Sequence, residues 1–179
     1  GQILYDLIAS QQIPVTRLTR IYRQAQNSNI IQNAHRIHQG IMPISSETVD
    51  VDGLQNDFFI VDRETQESTL NTILHILKHK IPALKFNVLE DVQVLTPMHG
   101  GVLGTQNLNV QIQKLVNPNG PECTIGSKTF RVGDRVIQLK NDYEQAIFNG
   151  DVGTIRHIEN STVYVEFEGN ITKNQLNKI

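Results

Sequence analysis

The spacing of apolar residues changes near residue 119, and this change limits the folds that the chain can adopt. In residues 1–118, apolar side chains recur at helical spacing between short apolar runs. After the linker-like stretch NPNGPE, short alternating segments are separated by turn residues, with no helical spacing between them. We therefore expect two parts of different secondary structure, residues 1–118 and residues 119–179.

The first part alternates predicted helices with predicted strands. Helical spacing covers residues 2–10, 66–80 and 105–117, and a further segment between a cap at Asn27 or Ser28 and a stop at Gly40. The runs DFFIVD (57–62) and DVQVLTP (91–97) are rich in strand formers and predict buried strands. Strands that alternate with helices predict an α/β fold, in which helices pack on a parallel sheet.

The second part predicts a small all-β barrel. Its segments TFRVGDRVIQL, GDVGTIRHIE and STVYVEFEG are separated by Gly-Asp and Glu-Asn turns. Roughly sixty residues of short strands can close into a barrel and bury a core. The apolar residues predicted to fill it are Val132, Val136, Ile137, Leu139, Phe148, Val152 and Ile155.

Composition narrows the function classes. Residues 1–118 contain 9 basic and 10 acidic side chains, and residues 119–179 contain 7 basic and 8 acidic ones. The net charge is therefore −2 and is shared by both parts. Because no basic tail is present, any contact with nucleic acid must be local. No stretch is long and apolar enough to span a bilayer. The single cysteine, Cys123, suits a reducing, cytoplasmic setting. The chain opens on an apolar periodic segment without an initiator methionine, so we expect a part of a longer protein.

The stretch VLTPMHGGVLGT (94–105) joins a predicted strand to a predicted helix that Thr105 would cap. Ligands of open α/β sheets gather at the carboxyl ends of strands, and a helix N-terminus can receive phosphate. Thr96, His99 and Thr105 offer donors there. The alternative is a tight connection that needs glycine for its backbone conformation. No Gly-Lys-Ser/Thr follows, so this is not a P-loop.

Two further stretches offer polar ligands. Arg23 precedes a predicted helix, where its planar guanidinium could meet a phosphate; the alternative is a surface arginine. The loop KNDYEQAI (140–147) combines Tyr143 with Lys140, a pairing that small barrels use for base stacking and phosphate contact. A barrel that binds protein or acts as a spacer is the alternative.

No metal site is expected. His75 and His79 have the spacing of a zinc pair on a helix, but they point away from its apolar stripe and lack further ligands nearby. Cys123 lies in a linker-like stretch without a histidine close in sequence, so we do not expect a nucleophile.

Four stretches together resemble the RecD/TraA group of superfamily 1B DNA helicases, which includes the exodeoxyribonuclease V α-subunit family and stand-alone bacterial RecD-like helicases. In the order found in that group they are GQILYDLI (1–8), RLTRIYRQAQNSNIIQNAHRI (17–37), DVQVLTPMHGGVLGTQNLNVQIQKLVNP (91–118) and FRVGDRVIQLKNDYEQAIFNGDVG (130–153). The resemblance implies that residues 1–118 are the first part of the second RecA-like motor domain. Residues 119–179 would be an SH3-like barrel inserted into it.

The resemblance also implies residue roles. YRQ (22–24) matches a motif whose arginine reaches the γ-phosphate of ATP, so Arg23 would be catalytic and nucleotide-binding, with Gln24 beside it. Thr96, His99 and Thr105 would lie near single-stranded DNA, with His99 in place of the basic residue that relatives commonly carry at Gly100. In the barrel, the implied contacts with the translocating strand are Lys140, Asn141 and Tyr143.

The implied protein is a bacterial, cytoplasmic, ATP-dependent helicase that translocates 5′ to 3′ on single-stranded DNA and unwinds duplex in repair and recombination. ATP and magnesium would be held mainly by another motor domain, because these 179 residues contain no P-loop lysine and no Walker B acid. We expect the chain alone to be inactive. Whether RecB- or RecC-like subunits take part is left open. The alternative is a non-enzymatic adaptor whose barrel binds nucleic acid or protein.

Overall fold

The computed structural model describes residues 1–16, 28–45, 57–159, 162–167 and 170–174. The chain divides into two compact units, residues 1–61 and residues 62–179. Among the described residues, no helix is long and apolar enough to cross a membrane.

The first unit contains helices α1 (Gln2–Ser10) and α2 (Asn29–His38), which confirms both predicted helices. Ser28 is the N-cap of α2, but its side chain makes no capping bond to the helix. Asp57 performs that task, because its Oδ1 accepts from Asn29 N at 2.9 Å and its Oδ2 accepts from Ser28 Oγ. A carboxylate at this end also complements the helix dipole.

The C-terminus of α2 ends as the sequence predicts. Gly40 adopts φ +73°, the left-handed conformation that glycine takes at low cost. Ile41 N then donates to Arg36 O at 2.8 Å, which satisfies a carbonyl of the last helical turn.

In the second unit, the predicted helix over residues 66–80 is confirmed and extended. A capping box between Thr65 and Ser68 begins α3 (Gln66–His75), a π-helical turn (Ile76–Lys80) follows, and α4 (Ile81–Ala83) ends the run. Pro82 lacks the N–H that would continue a regular ladder here. Helix α5 (Thr105–Val116) confirms the predicted third helix, with Leu108 buried.

The predicted all-β part is confirmed, since its described residues form six antiparallel strands. They are β1 (Glu122–Ile125), β2 (Lys128–Arg131), β3 (Arg135–Ile137), β4 (Val152–Glu159), β5 (Thr162–Phe167) and β6 (Asn170–Asn174). Strands β1 and β2 form a hairpin, and β3 to β6 form a sheet in sequence order. One buried cluster joins the two sheets: Phe130, Ile147, Ile155, Val163, Val165 and Phe167.

The strands predicted over residues 57–62 and 91–97 are not formed. Both segments lack regular secondary structure, and the described residues contain no parallel strand pair. The burial predicted for these two segments is also wrong, since Phe59, Ile60 and Leu95 are exposed. The physical reason is that a parallel strand forms only beside another strand, and sequence reasoning cannot see whether one is present. The parallel sheet of the predicted α/β fold is therefore not shown by this structure.

Four side chains predicted to fill the barrel core lie outside it: Ile137, Leu139, Phe148 and Val152 are all exposed. Strand alternation explains the first, because Val136 packs against the core and its neighbour Ile137 must then point away. The predictions for Val132, Val136 and Ile155 are confirmed.

Candidate nucleic-acid interface

The segment from Thr96 to Thr105, here called the glycine loop, is closed by its own backbone. Gly104, not Thr105, is the N-cap of α5, which corrects the predicted cap. A Cβ at Gly104 would lie 2.3 Å from Gly100 O and 2.5 Å from His99 O, so only glycine permits this approach. The prediction of Thr105 as the cap failed because the loop carbonyls approach the N-cap position so closely that only glycine fits there. Thr105 is therefore the first residue of the helix.

The loop carbonyls occupy the first N–H groups of α5. Thr105 N donates to Met98 O at 2.9 Å, and Gln106 N donates to His99 O at 3.2 Å. These bonds satisfy donors that a helix N-terminus otherwise offers to an anion. The geometry of the glycine loop thus matches a tight connection, the alternative that the sequence left open.

The three predicted DNA contacts of the glycine loop lie in different settings. Thr96 is half-buried and donates its hydroxyl to Leu103 O at 2.7 Å. His99 is exposed, with its Nδ1 at 3.3 Å from Thr105 Oγ1. The structure therefore brings His99 and Thr105 together at the surface, whereas the Thr96 hydroxyl holds the loop closed.

The connection between β3 and β4, residues 138–151, is here called the barrel loop. Its base is closed by two backbone bonds, Gln138 N to Asp151 O and Gly150 N to Gln138 O, both 2.8 Å. Higher up, Asp142 and Ile147 exchange backbone bonds of 2.7 and 3.0 Å. Because Ile147 belongs to the buried core, the loop is anchored to the barrel at its far end as well.

Tyr143 and Phe148 form an exposed aromatic pair on the barrel loop. Their ring centroids are 6.3 Å apart at an interplanar angle of 77°, and 77% of Tyr143 is exposed. Asn141 supports the pair, since its Nδ2 donates to Tyr143 Oη at 3.0 Å and its Oδ1 accepts from Asn149 N at 2.8 Å. Lys140 is exposed beside them. The predicted residues Lys140, Asn141 and Tyr143 therefore occupy one surface.

Phe148 is the residue of this surface that sequence reasoning assigned to the core instead. An aromatic followed directly by an Asn-Gly turn is the signal that could have placed it on the loop. Phe148 N donates to Asp151 Oδ2 at 2.7 Å, which fixes its backbone at the turn.

One carboxylate, that of Asp134, makes several of the hydrogen bonds that join the barrel to α5. Asp134 Oδ2 accepts from Gln113 Nε2 at 2.6 Å and from Arg131 N at 2.7 Å, and its Oδ1 accepts from Asn117 Nδ2 at 2.7 Å. Gln113 and Asn117 lie four positions apart, so they share a face of the helix end. Arg131 also donates to Asn117 O at 3.0 Å, where a cation complements the helix C-terminus.

The remaining candidates are Arg23, Gln24, the pair of histidines and Cys123. Arg23 and Gln24 lie outside the described residues. His75 and His79 are exposed with ring centroids 4.9 Å apart, and the described residues hold no group of three metal ligands. Burial raises the pKa of the Cys123 thiol, which disfavours the nucleophilic thiolate.

The comparisons with known proteins first define a class. A family model described as the SH3 domain of ATP-dependent RecD-like DNA helicases matches residues 108–167. The match begins inside α5, the helix that Asp134 joins to the barrel. The SH3-like assignment of the barrel is therefore confirmed.

A curated relative extends the match over nearly the whole chain. The protein described as ATP-dependent RecD2 DNA helicase, from Deinococcus radiodurans, is 33% identical over 167 residues, which are 93% of this chain and 21% of that protein. Both findings confirm the resemblance to RecD-like DNA helicases. The chain spans about a fifth of the length of this relative.

Proposed function

We propose that the chain supplies two parts of an ATP-dependent DNA helicase, an inserted SH3-like barrel and the first part of the second RecA-like motor domain. The domain boundary would fall near residue 118. The whole protein would translocate 5′ to 3′ on single-stranded DNA and unwind duplex during repair and recombination, in the bacterial cytoplasm. The similarity to RecD-like helicases supports this proposal.

We assign the contact with single-stranded DNA to the barrel loop. The observation that carries this assignment is the exposed pair of Tyr143 and Phe148, held by Asn141 next to Lys140. Aromatic faces stack on every base, and such stacking contributes about 1–3 kcal/mol per base. His99 and Thr105 are proposed as a second, weaker contact, because the first N–H groups of their helix are already bonded.

Fluorescence anisotropy with a labelled oligothymidylate tests the barrel loop. We expect weak binding of the 179-residue chain, with a Kd of about 10⁻⁴ M at physiological salt, because its charge is nearly balanced. Tyr143→Ala should weaken binding about tenfold through lost stacking. Tyr5→Ala is the matched control, since Tyr5 is an exposed tyrosine on α1.

The salt dependence of the same titration separates the electrostatic contribution of Lys140 from the stacking contribution of Tyr143. Lys140→Ala should lower the slope of log K against log salt by about one, because one phosphate contact is lost. Equal affinity of Tyr143→Ala and the unaltered chain would contradict the assignment. Micromolar, strongly salt-sensitive binding by the chain alone would instead support an adaptor that binds nucleic acid without a motor.

For ATP, we propose that Arg23 stabilises charge on the γ-phosphate from across the motor cleft, with Gln24 beside it. ATP and magnesium would be held mainly by the other motor domain. In a helicase that contains both motor domains, Arg23→Ala should lower kcat for ATP by a factor of about 10³ while DNA affinity is retained. A parallel loss of DNA affinity would count against this role.

A further inference from the structure

Gln138 places an amide at a fully buried position at the base of the barrel loop. Its exposed fraction is 0%, as are those of Ile155, Val163 and Val165. A buried polar atom without a partner costs about 1–3 kcal/mol, so an amide at this position requires a reason.

The two polar atoms of this amide differ. Gln138 Nε2 donates to Lys140 O at 2.8 Å, whereas Oε1 finds no hydrogen-bond partner among the described residues. Methionine has a similar length and is apolar, so it would fill the same space without burying an amide. Stability therefore does not explain the glutamine, and natural proteins accept such local costs where function requires them.

The backbone already closes the loop without this side chain. Gln138 N and O are bonded to Asp151 and Gly150 at the base of the barrel loop. The side chain adds control of one further point, the carbonyl of Lys140. That peptide group leads directly into Asn141, whose side chain holds Tyr143.

We propose that Gln138 is a positioning residue that orders the barrel loop from a fully buried position. Its Nε2 fixes the peptide group between Lys140 and Asn141, so the loop meets the nucleic acid in a preformed shape. Preorganisation of this kind improves affinity, because the loop need not be ordered on binding. The DNA part of this inference rests on the proposed function, whereas the ordering of the loop does not.

Amide hydrogen exchange in the Gln138→Met chain tests the ordering. The reporters are the amides of Asp142 and Asn149, which are hydrogen-bonded within the loop, and the amide of Ile155 is the core reference. Loss of one hydrogen bond should speed loop exchange about fivefold, with core exchange unchanged and Tm retained or raised. Gln66→Met, on the exposed start of α3, is the matched control.

Unchanged exchange at Asp142 and Asn149 would overturn the ordering role, whatever the Tm. Titration with oligothymidylate then tests the functional part. We expect Gln138→Met to weaken binding by about the same fivefold factor. A loosened loop with unchanged affinity would overturn the functional part, whereas no binding by the unaltered chain would overturn the proposed function and leave the loop result standing.

Discussion

The barrel and helix α1 of the first unit differ in the exposure of their apolar side chains. In the barrel, Ile155, Val163 and Val165 are fully buried, whereas on α1 of the first unit Ile3 is 79% exposed and Leu4 62% exposed. Antiparallel strands joined by short turns carry their partners beside them in the sequence, so the barrel completes its own core. The described residues of the first unit form two helices and no strand, so they offer Ile3 and Leu4 no sheet to pack against. Among the described residues, the barrel is therefore the region that buries its apolar side chains with its own strands.

The largest expected effect tests the barrel core. Ile155→Ala should lower the free energy of unfolding of the barrel by about 3 kcal/mol, because it leaves a cavity at a fully buried position. Chemical denaturation followed through barrel amides measures this. Ile37→Ala, on the exposed side of α2, is the control and should change stability by less than about 0.5 kcal/mol. Similar effects of the two substitutions would remove the contrast.

A second, smaller effect tests where the barrel region ends. Asp134→Ala should cost about 2 kcal/mol and expose the end of α5 to exchange, because Gln113 and Asn117 each lose one of their two acceptors and keep only a backbone carbonyl. Asp151→Ala is the control, since this carboxylate accepts from Phe148 N inside the barrel loop. If exchange in α5 stays slow in Asp134→Ala, the helix is not held by that carboxylate.

The first unit has one long-range contact that can be tested alone. Asp57→Ala should destabilise α2 by about 1 kcal/mol, because the helix loses its cap. Hydrogen exchange of the α2 amides reports the change. Asp62→Ala removes an exposed carboxylate that follows Asp57 in the sequence and should leave α2 unaffected. No difference between the two variants would show that Asp57 does not cap the helix.

The smallest expected effect concerns α1. Replacing Ile3 and Leu4 together by serine should change the stability of this chain by less than about 0.5 kcal/mol, because both side chains are exposed. Thermal unfolding provides the measurement. A loss of several degrees in Tm would mean that the face of α1 is packed, and the comparison between the two regions would fail.

The sequence predicted local features well and non-local ones poorly. Helical spacing, the stop at Gly40 and the alternation of the barrel strands are properties of neighbouring residues, and the structure confirms them. The strands at 57–62 and 91–97 depend on partner strands that no local pattern reveals. The capping role of Asp57 depends on a contact with a helix that begins 28 residues earlier in the chain.

The candidate interface shows the same limit. The exposure of Lys140, Asn141 and Tyr143 could be predicted, because an aromatic and a lysine between turn signals indicate an exposed loop; their contact with DNA stays a prediction. Phe148 was missed although the Asn-Gly turn that follows it could have placed it on the loop, whereas Gln138 has no such signal, because it lies between Ile137 and Leu139 in the sequence. The structure shows that the side chain of Phe148 is exposed and that the amide of Gln138 is fully buried.

Chemical-shift mapping of the isotope-labelled 179-residue chain with oligothymidylate tests most directly whether the barrel loop meets single-stranded DNA. We expect the largest shifts at Lys140, Asn141 and Tyr143, with small shifts around His157, an exposed residue of β4. Shifts centred on His157 and Tyr164, or none at millimolar oligonucleotide, would contradict the assignment.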